Sequence, residues 1–445
     1  MKNFQVAYIP IGVPTFHLES AQAEYEKSVS LLTSLTAHLV YPDKMLLTLD
    51  DLQAFLDDIS PDLIILQNAT FAHGAYTGEI LRRFSCPVLL WTLREPVIDG
   101  GRLRLNSLTG AYSAGSTLNA FGRAFEYVYG AGDEPEVSAQ IGVFLRAGGV
   151  RSKLKTARLA AIGHTPPGFG FGRALDNEIQ NAFGVTLESI EVRELIGKAK
   201  AFTEEECAPF LERAEQATVG LCGIPAENQA AFARLYKAYT DYAAENKIDA
   251  LSTRCWPDFF TEYGTPPCTV LSLLNDSGVV SACEADVYGS LSMYIGTLLT
   301  EKPTFFGDPV SLDERENTVT YWHCGMSPCS LARKDTGAKI GVHPNRKIGP
   351  VMDFGCEAWG EVTVFRVGKN RDGSFRFFIA EGEAIDKPKQ FDGTSVVVRM
   401  QNSAKEIVTQ SVSEGWEPHF VVVFGAVAAE LKLLGKMLQI ETQSY

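Results

Sequence analysis

PDLIILQ (residues 61–67) and PVLLWTL (87–93) decide the fold class. Each is a short, unbroken apolar run opened by proline. A strand with one face in water alternates apolar and polar residues. An unbroken run suits a strand buried on both faces, as in a parallel sheet covered by helices. FQVAYIPIG (4–12), closed by Gly12, is a third run of this kind. Between the runs, 20–40 carries Leu, Val and Ala at helical spacing, and 50–59 also reads as helix. Strand and helix therefore alternate, which predicts an α/β unit.

The basic, glycine-containing stretch RAGGVRSKLKTA (146–157) reads as a linker, after which the alternation resumes. RLAAIGH (158–164) is a strand leading into the loop TPPGFGFGR (165–173). Thr203 with Glu206 three positions on is a capping box that opens a helix. ATVGLCGI (217–224) reads as another buried strand, and Pro225 suits the first turn of a helix over 226–245. DALSTRCW (249–256) and VVSACEA (279–285) are two more strands. From about 303 the runs TVTYWHC, EVTVFRV, SFRFFIAEGEAI and TSVVVRM are β-branched or aromatic and are separated by turns such as NRDG. HFVVVFG and the helix-like GAVAAELKLLGKML close the chain. The expected architecture is α/β: two doubly wound, Rossmann-like domains over 1–153 and 154–303, then an antiparallel, β-barrel-like domain over 304–445.

Composition narrows the partners. A chain of 445 residues exceeds one ordinary core. Its net charge of −14 argues against a nucleic-acid partner, whose phosphates need clustered Lys and Arg. MKNFQVAYIPIG lacks the apolar stretch and cleavage site of a signal peptide, and no run reaches the roughly 18 apolar residues of a membrane span. The expectation is a cytoplasmic protein with no membrane association that acts on a small molecule. The nine cysteines are scattered without a CxxC pair, so reduced thiols are expected. YWHCGMSPC (321–329) raises a structural zinc site, but no second cysteine pair stands at finger spacing.

Ligands in open α/β sheets bind beyond the carboxyl ends of strands. Four metal-binding side chains stand at such ends: Glu284 in VVSACEA, Asp308 in PTFFGDP, His323 in TVTYWHC and His419 in GWEPHFVVV. Each alone has an ordinary structural role, as a helix cap, a turn residue or a hydrogen-bonded core histidine. Together they form an oxygen and nitrogen set suited to Mn²⁺ or a similar divalent ion such as Co²⁺ or Mg²⁺.

ACEADVYGSLSMYIGTLL (282–299), PTFFGDP, YWHCG and GWEPHFVVV resemble the L-fucose isomerase / L-arabinose isomerase family of metal-dependent aldose–ketose isomerases, which includes sulfosugar isomerases. The resemblance implies that Glu284 and Asp308 bind Mn²⁺ and flank the sugar, with His419 completing the site. His323 matches a ligand of the arabinose branch alone. It also implies a cis-enediolate route, with Glu284 and Asp308 as acid–base pair, and a homo-oligomer (trimer or hexamer) in which His17 reaches a neighbouring site. The substrate stays open among a 6-deoxy or C6-modified hexose, such as L-fucose or sulfoquinovose, and L- or D-arabinose. A sulfonate would need a guanidinium, for which Arg254, Arg173 and Arg346 are candidates. Arg254 and Trp256 in RCWPDFF are further substrate contacts, with pairing of Arg254 to Asp258 the alternative. His164 and Met326 are expected to line the pocket. A cytosolic sugar-binding protein without catalysis is the reading from another class.

Overall fold

A computed structural model describes residues 4–445; the opening Met-Lys-Asn lies outside the described residues. The chain folds as two compact units, Met1–Ser152 and Lys153–Tyr445.

The first unit is built on five parallel strands: β1 (Val6–Ile11), β2 (Leu39–Val40), β3 (Leu63–Asn68), β4 (Val88–Thr92) and β5 (Phe125–Tyr129), in the order β2-β1-β3-β4-β5. β1, β3 and β4 are buried at every residue, as their unbroken apolar runs require. The helix expected over 20–40 spans Leu18–Leu35, and the end of that stretch is instead β2.

The linker expected over 146–157 is mostly helix, because Pro135–Leu154 runs unbroken through its two glycines. Gly148 explains why. A Cβ there would lie 2.3 Å from the Leu63 side chain, so the glycine lets the helix lie close on β3. The glycine is a packing requirement of the helix and not the mark of a linker.

The second unit opens with four parallel strands, β6 (Arg158–Ile162), β7 (Thr186–Ile190), β8 (Ala250–Thr253) and β9 (Val280–Cys283), in the order β7-β6-β8-β9. The Thr203–Glu206 capping box is formed. ATVGLCGI is not a strand. Gly220 takes a left-handed φ of 91°, and the segment makes a single bridge from Val219 to Lys339 before a short turn of helix at Leu221–Gly223.

The remaining strands are β10 (Phe305–Asp313), β11 (Thr318–His323), β12 (Ile340–Gly341), β13 (Val351–Met352), β14 (Phe354–Gly355), β15 (Gly360–Lys369), β16 (Phe375–Ala384), β17 (Thr394–Met400), β18 (Phe420–Val423) and β19 (Glu441–Ser444). β12 and β13 form a small ribbon, and the other eight form one sheet, β14-β17-β11-β10-β18-β15-β16-β19. That sheet is mixed and not purely antiparallel, since β14–β17 and β16–β19 pair in parallel.

Helix Val287–Thr300 packs against β8 and β9 of the parallel sheet and against β15 and β18 of the mixed one. Its sequence, VYGSLSMYIGTLLT, has no charged face, as expected of a helix enclosed between two layers. Among the described residues no helix is long and apolar enough to cross a membrane.

Two neighbouring glycines test the packing argument. Gly148→Val should destabilise the protein by about 1–3 kcal/mol through overpacking against β3. Gly149, whose Cβ would meet nothing within 4 Å, should tolerate Ala with a gain of about 0.5–1 kcal/mol. Denaturant unfolding of both variants reads the difference, and equal effects would contradict it.

Candidate active site

β9 ends at Cys283, and the chain then turns through two left-handed, non-glycine residues, Glu284 (φ 58°) and Ala285 (φ 52°). Such residues cost of order 1–3 kcal/mol each and persist where the surroundings over-determine them. Here Ala285 N–H donates to the Thr253 carbonyl at 2.9 Å and Asp286 N–H to the Cys283 carbonyl at 3.1 Å. Asp286 then caps helix Val287–Thr300, accepting from Gly289 N–H at 2.8 Å. This turn sets Glu284 into the site.

Glu284 Oε1 accepts from Trp256 Nε1 at 3.0 Å, and its Oε2 lies 3.0 Å from His419 Nε2. His323 Nε2 stands 3.9 Å from the same Oε2, and Asp308 Oδ1 is 3.6 Å from His419 Nε2. Asp308 is not at a strand end as expected. β10 runs on to Asp313, and Asp308 pairs with Trp322 just before the register shifts between Pro309 and Ser311.

His419 is fixed from behind. Its Nδ1 is 2.9 Å from Asp286 Oδ2, and Asp286 is held in turn by Arg366 through Nη1 at 2.5 Å and Nη2 at 3.2 Å. Aromatic rings of Phe306, Phe171 and Phe169 surround the imidazole, with centroids at 4.6, 5.4 and 6.1 Å. The loop carrying the two latter rings presses on Asp286. A Cβ on Gly172 would sit 2.8 Å from the Asp286 Cα, so the glycine-rich stretch serves close approach here.

The electrostatics follow from burial and pairing. Burial alone would raise the Glu284 carboxyl, but the His419 hydrogen bond, the His323 and His419 charges and the Trp256 N–H draw it down to about 2. Burial raises Asp308 to about 6, assisted by Glu284 and Asp286 and opposed by His419. Burial would lower His419, yet Asp286 and Glu284 lift it to about 9. Burial keeps His323 neutral, near 4.

The donor set fits a divalent cation. Ligand atoms of Glu284, His323 and His419 all lie within 4.8 Å of one another. Among the described residues His323 Nδ1 is buried without a partner, and Nε2 faces Glu284 at a separation too long for a hydrogen bond. One carboxylate and two imidazoles are a borderline-to-hard set, and Asp286 behind His419 supplies the carboxylate that orients a ligating histidine.

Other candidates are placed differently. Arg254 is bound by both oxygens of Asp258 at 2.6 Å, the alternative weighed for it. His164 is exposed, and Met326 is fully buried. His17 lies in the unit Met1–Ser152, where its Nδ1 accepts from Ser20 N–H and caps a helix. Cys324 and Cys329 are free thiols. The sequence carried two unread signals. Asp286 stands two positions after Glu284, and Arg366 interrupts the apolar run EVTVFRV, where a buried guanidinium demands a partner.

The profile described as L-fucose isomerase, C-terminal domain, matches residues 348–445. A protein named sulfoquinovose isomerase from Clostridium sp. (strain MSTE9) is 64% identical over 446 residues, covering 100% of both chains. One of the same name from Priestia aryabhattai is 39% identical, again over 100% of each chain. The chain belongs to the L-fucose isomerase-like family of sulfosugar isomerases. It is therefore an isomerase whose substrate is a sugar, and family membership sets aside the reading as a receptor without catalysis. The solved glucose-galactose binding protein GanP from Geobacillus stearothermophilus aligns at 11% identity over 68% of this chain and 93% of its own, with a TM-score of 0.17, too low a likeness to bear on the fold.

In this sulfosugar-isomerase relative, cation binding should be proton-linked. A ligating His419 must be neutral, whereas Asp286 and Glu284 keep it protonated up to about pH 9. Divalent-cation affinity should therefore rise with pH between 6 and 9 with release of one proton, read by calorimetry in buffers of different ionisation enthalpy. Above about pH 9, where His419 is neutral with or without the carboxylate, Asp286→Asn should weaken binding about 10- to 100-fold. A pH-independent affinity would exclude His419 as ligand.

Proposed function

We propose that the chain interconverts the aldose sulfoquinovose and its ketose through a cis-enediolate, with a divalent cation, Mn²⁺ above all, held by Glu284, His323 and His419 beside Asp308. The observation that carries this reading is the convergence of those ligand atoms within 4.8 Å, in a chain whose 64% relative bears the name sulfoquinovose isomerase. When bound, the cation supplies Lewis acidity that lowers the cost of negative charge on the substrate oxygens.

The chain's own residues do the rest. Glu284 and Asp308 come from different elements, the turn after β9 and the middle of β10, and so approach the substrate from separate backbones. As acid–base pair they take the proton from C2 and return it at C1, and move the hydroxyl proton from O2 to O1. Trp256 holds the Glu284 carboxylate by its indole N–H, and its ring packs edge-on against Phe169 at 5.8 Å, forming a dry wall for a sugar face. Asp286 and Arg366 keep the His419 ring in one orientation.

We further propose the division 1–153, 154–303 and 304–445, with the first two parts doubly wound. The pairing of β16 with β17 joins the two arms of the mixed sheet, so six strands pair in a cycle; this supports a barrel-like reading of the last part. A homo-oligomeric assembly, trimer or hexamer, belongs to the same reading.

Glu284→Gln and Asp308→Asn should each lower kcat at least about 100-fold while far-UV circular dichroism stays unchanged. NMR of the reaction in D₂O should show deuterium at C1 of the ketose. Near-normal turnover by Glu284→Gln would remove it from the acid–base pair, and ketose without deuterium would rule out an exchangeable enediolate.

A further inference from the structure

A cavity of about 210 Å³ adjoins Glu284 and His323, walled by Trp256, His343, Asn345 and Arg346. Arg346 is unusual among the arginines near the site. Its guanidinium lies over the rings of Phe260 at 4.8 Å and Trp256 at 5.3 Å. Among the described residues it has no carboxylate or hydrogen-bonding partner. Stacking holds the planar cation by its faces and leaves its N–H edges free, the arrangement that lets arginine grip an oxyanion with two parallel hydrogen bonds.

The loop bearing it is fixed by His343, which is buried and accepts from the backbone N–H of Asn345 at 3.2 Å and of Arg346 at 3.3 Å through Nδ1. The other guanidinium groups are unsuited. Arg254 is paired with Asp258 through two hydrogen bonds, Arg366 is fully buried and paired with Asp286, and Arg173 is exposed and does not line the cavity.

Trp256 joins the two ends of this pocket. Its N–H binds Glu284 and its face carries Arg346. Glu284 lies at one end of this pocket and the stacked guanidinium at the other, so an anionic substituent is attracted to the Arg346 end. We propose that Arg346 binds the C6 sulfonate of the substrate and thereby sets both its orientation and its selection over uncharged hexoses. The proposal rests on the reading of the substrate as sulfoquinovose.

The test is the ratio of kcat/KM for sulfoquinovose to that for 6-deoxyglucose, which lacks the anion, in wild type, Arg346→Met, Arg346→Lys and Arg173→Met. The expected result is a ratio that falls about 10- to 100-fold in Arg346→Met, mainly through KM for sulfoquinovose, with Arg346→Lys between. Arg346→Lys keeps the charge while losing the planar fork, so it reports even if the Met variant unfolds in a thermal melt. An unchanged ratio in Arg346→Met, or a fall in Arg173→Met instead, would overturn the role of Arg346 while leaving the substrate intact. Wild type that turns over 6-deoxyglucose but not sulfoquinovose, or that prefers glucose 6-phosphate, would overturn the substrate reading itself.

Discussion

The carboxylate of Asp286, 1% exposed, is the constraint on which the site rests. It accepts from the N–H that opens helix Val287–Thr300, from two nitrogens of Arg366 on β15, and it meets His419 Nδ1. Removing a carboxylate and a guanidinium from water costs several kcal/mol per ion, and such a pair is retained only with further hydrogen bonds to satisfy it. Asp286 has them from three separate elements. One side chain thus ties the start of the central helix to the mixed sheet and to the segment that carries His419.

That tie accounts for the shape of the turn after β9. Glu284 and Ala285 are forced into left-handed backbone between β9, which is wholly buried, and a helix whose first turn is pinned by Asp286. Neither neighbour can relax, so the strain stays where the Glu284 carboxylate is displayed. Around His419 the same logic applies to space: three phenylalanine rings and a glycine-rich loop leave the imidazole one orientation, with Nδ1 toward Asp286 and Nε2 toward Glu284 and Asp308. On the other side of Glu284, Trp256 stands between that carboxylate and the stacked guanidinium of Arg346.

Much of the fold was readable wherever neighbouring residues settle the backbone. PDLIILQ and PVLLWTL became buried parallel strands, and Thr203 with Glu206 closed its capping box. The failures share a cause. The stretch with Gly148 and Gly149 reads as a linker because glycine has the same local signature in a connecting segment and in a helix pressed against Leu63. ATVGLCGI has strand composition, yet Gly220 bends the backbone out of it. The mixed character of the last sheet depends on β14 and β19, short segments with weak patterns of their own.

In the site, residue type together with position at the ends of apolar runs singled out Glu284, Asp308, His323 and His419, because carboxylates and imidazoles there can bind a divalent ion. Sequence by itself determined which atoms were available and roughly which elements would carry them. Tertiary structure decided which of them meet. Asp286 and His419 are 133 positions apart and Asp286 and Arg366 are 80 apart, so neither contact leaves a local trace. The same holds for the three arginines: their sequences differ little in promise, and only packing shows Arg254 paired with Asp258, Arg173 exposed and Arg346 stacked on Phe260 and Trp256. Local patterns follow from backbone sterics and burial periodicity within a few residues, whereas partner choice for a charge depends on what the fold has already excluded from water.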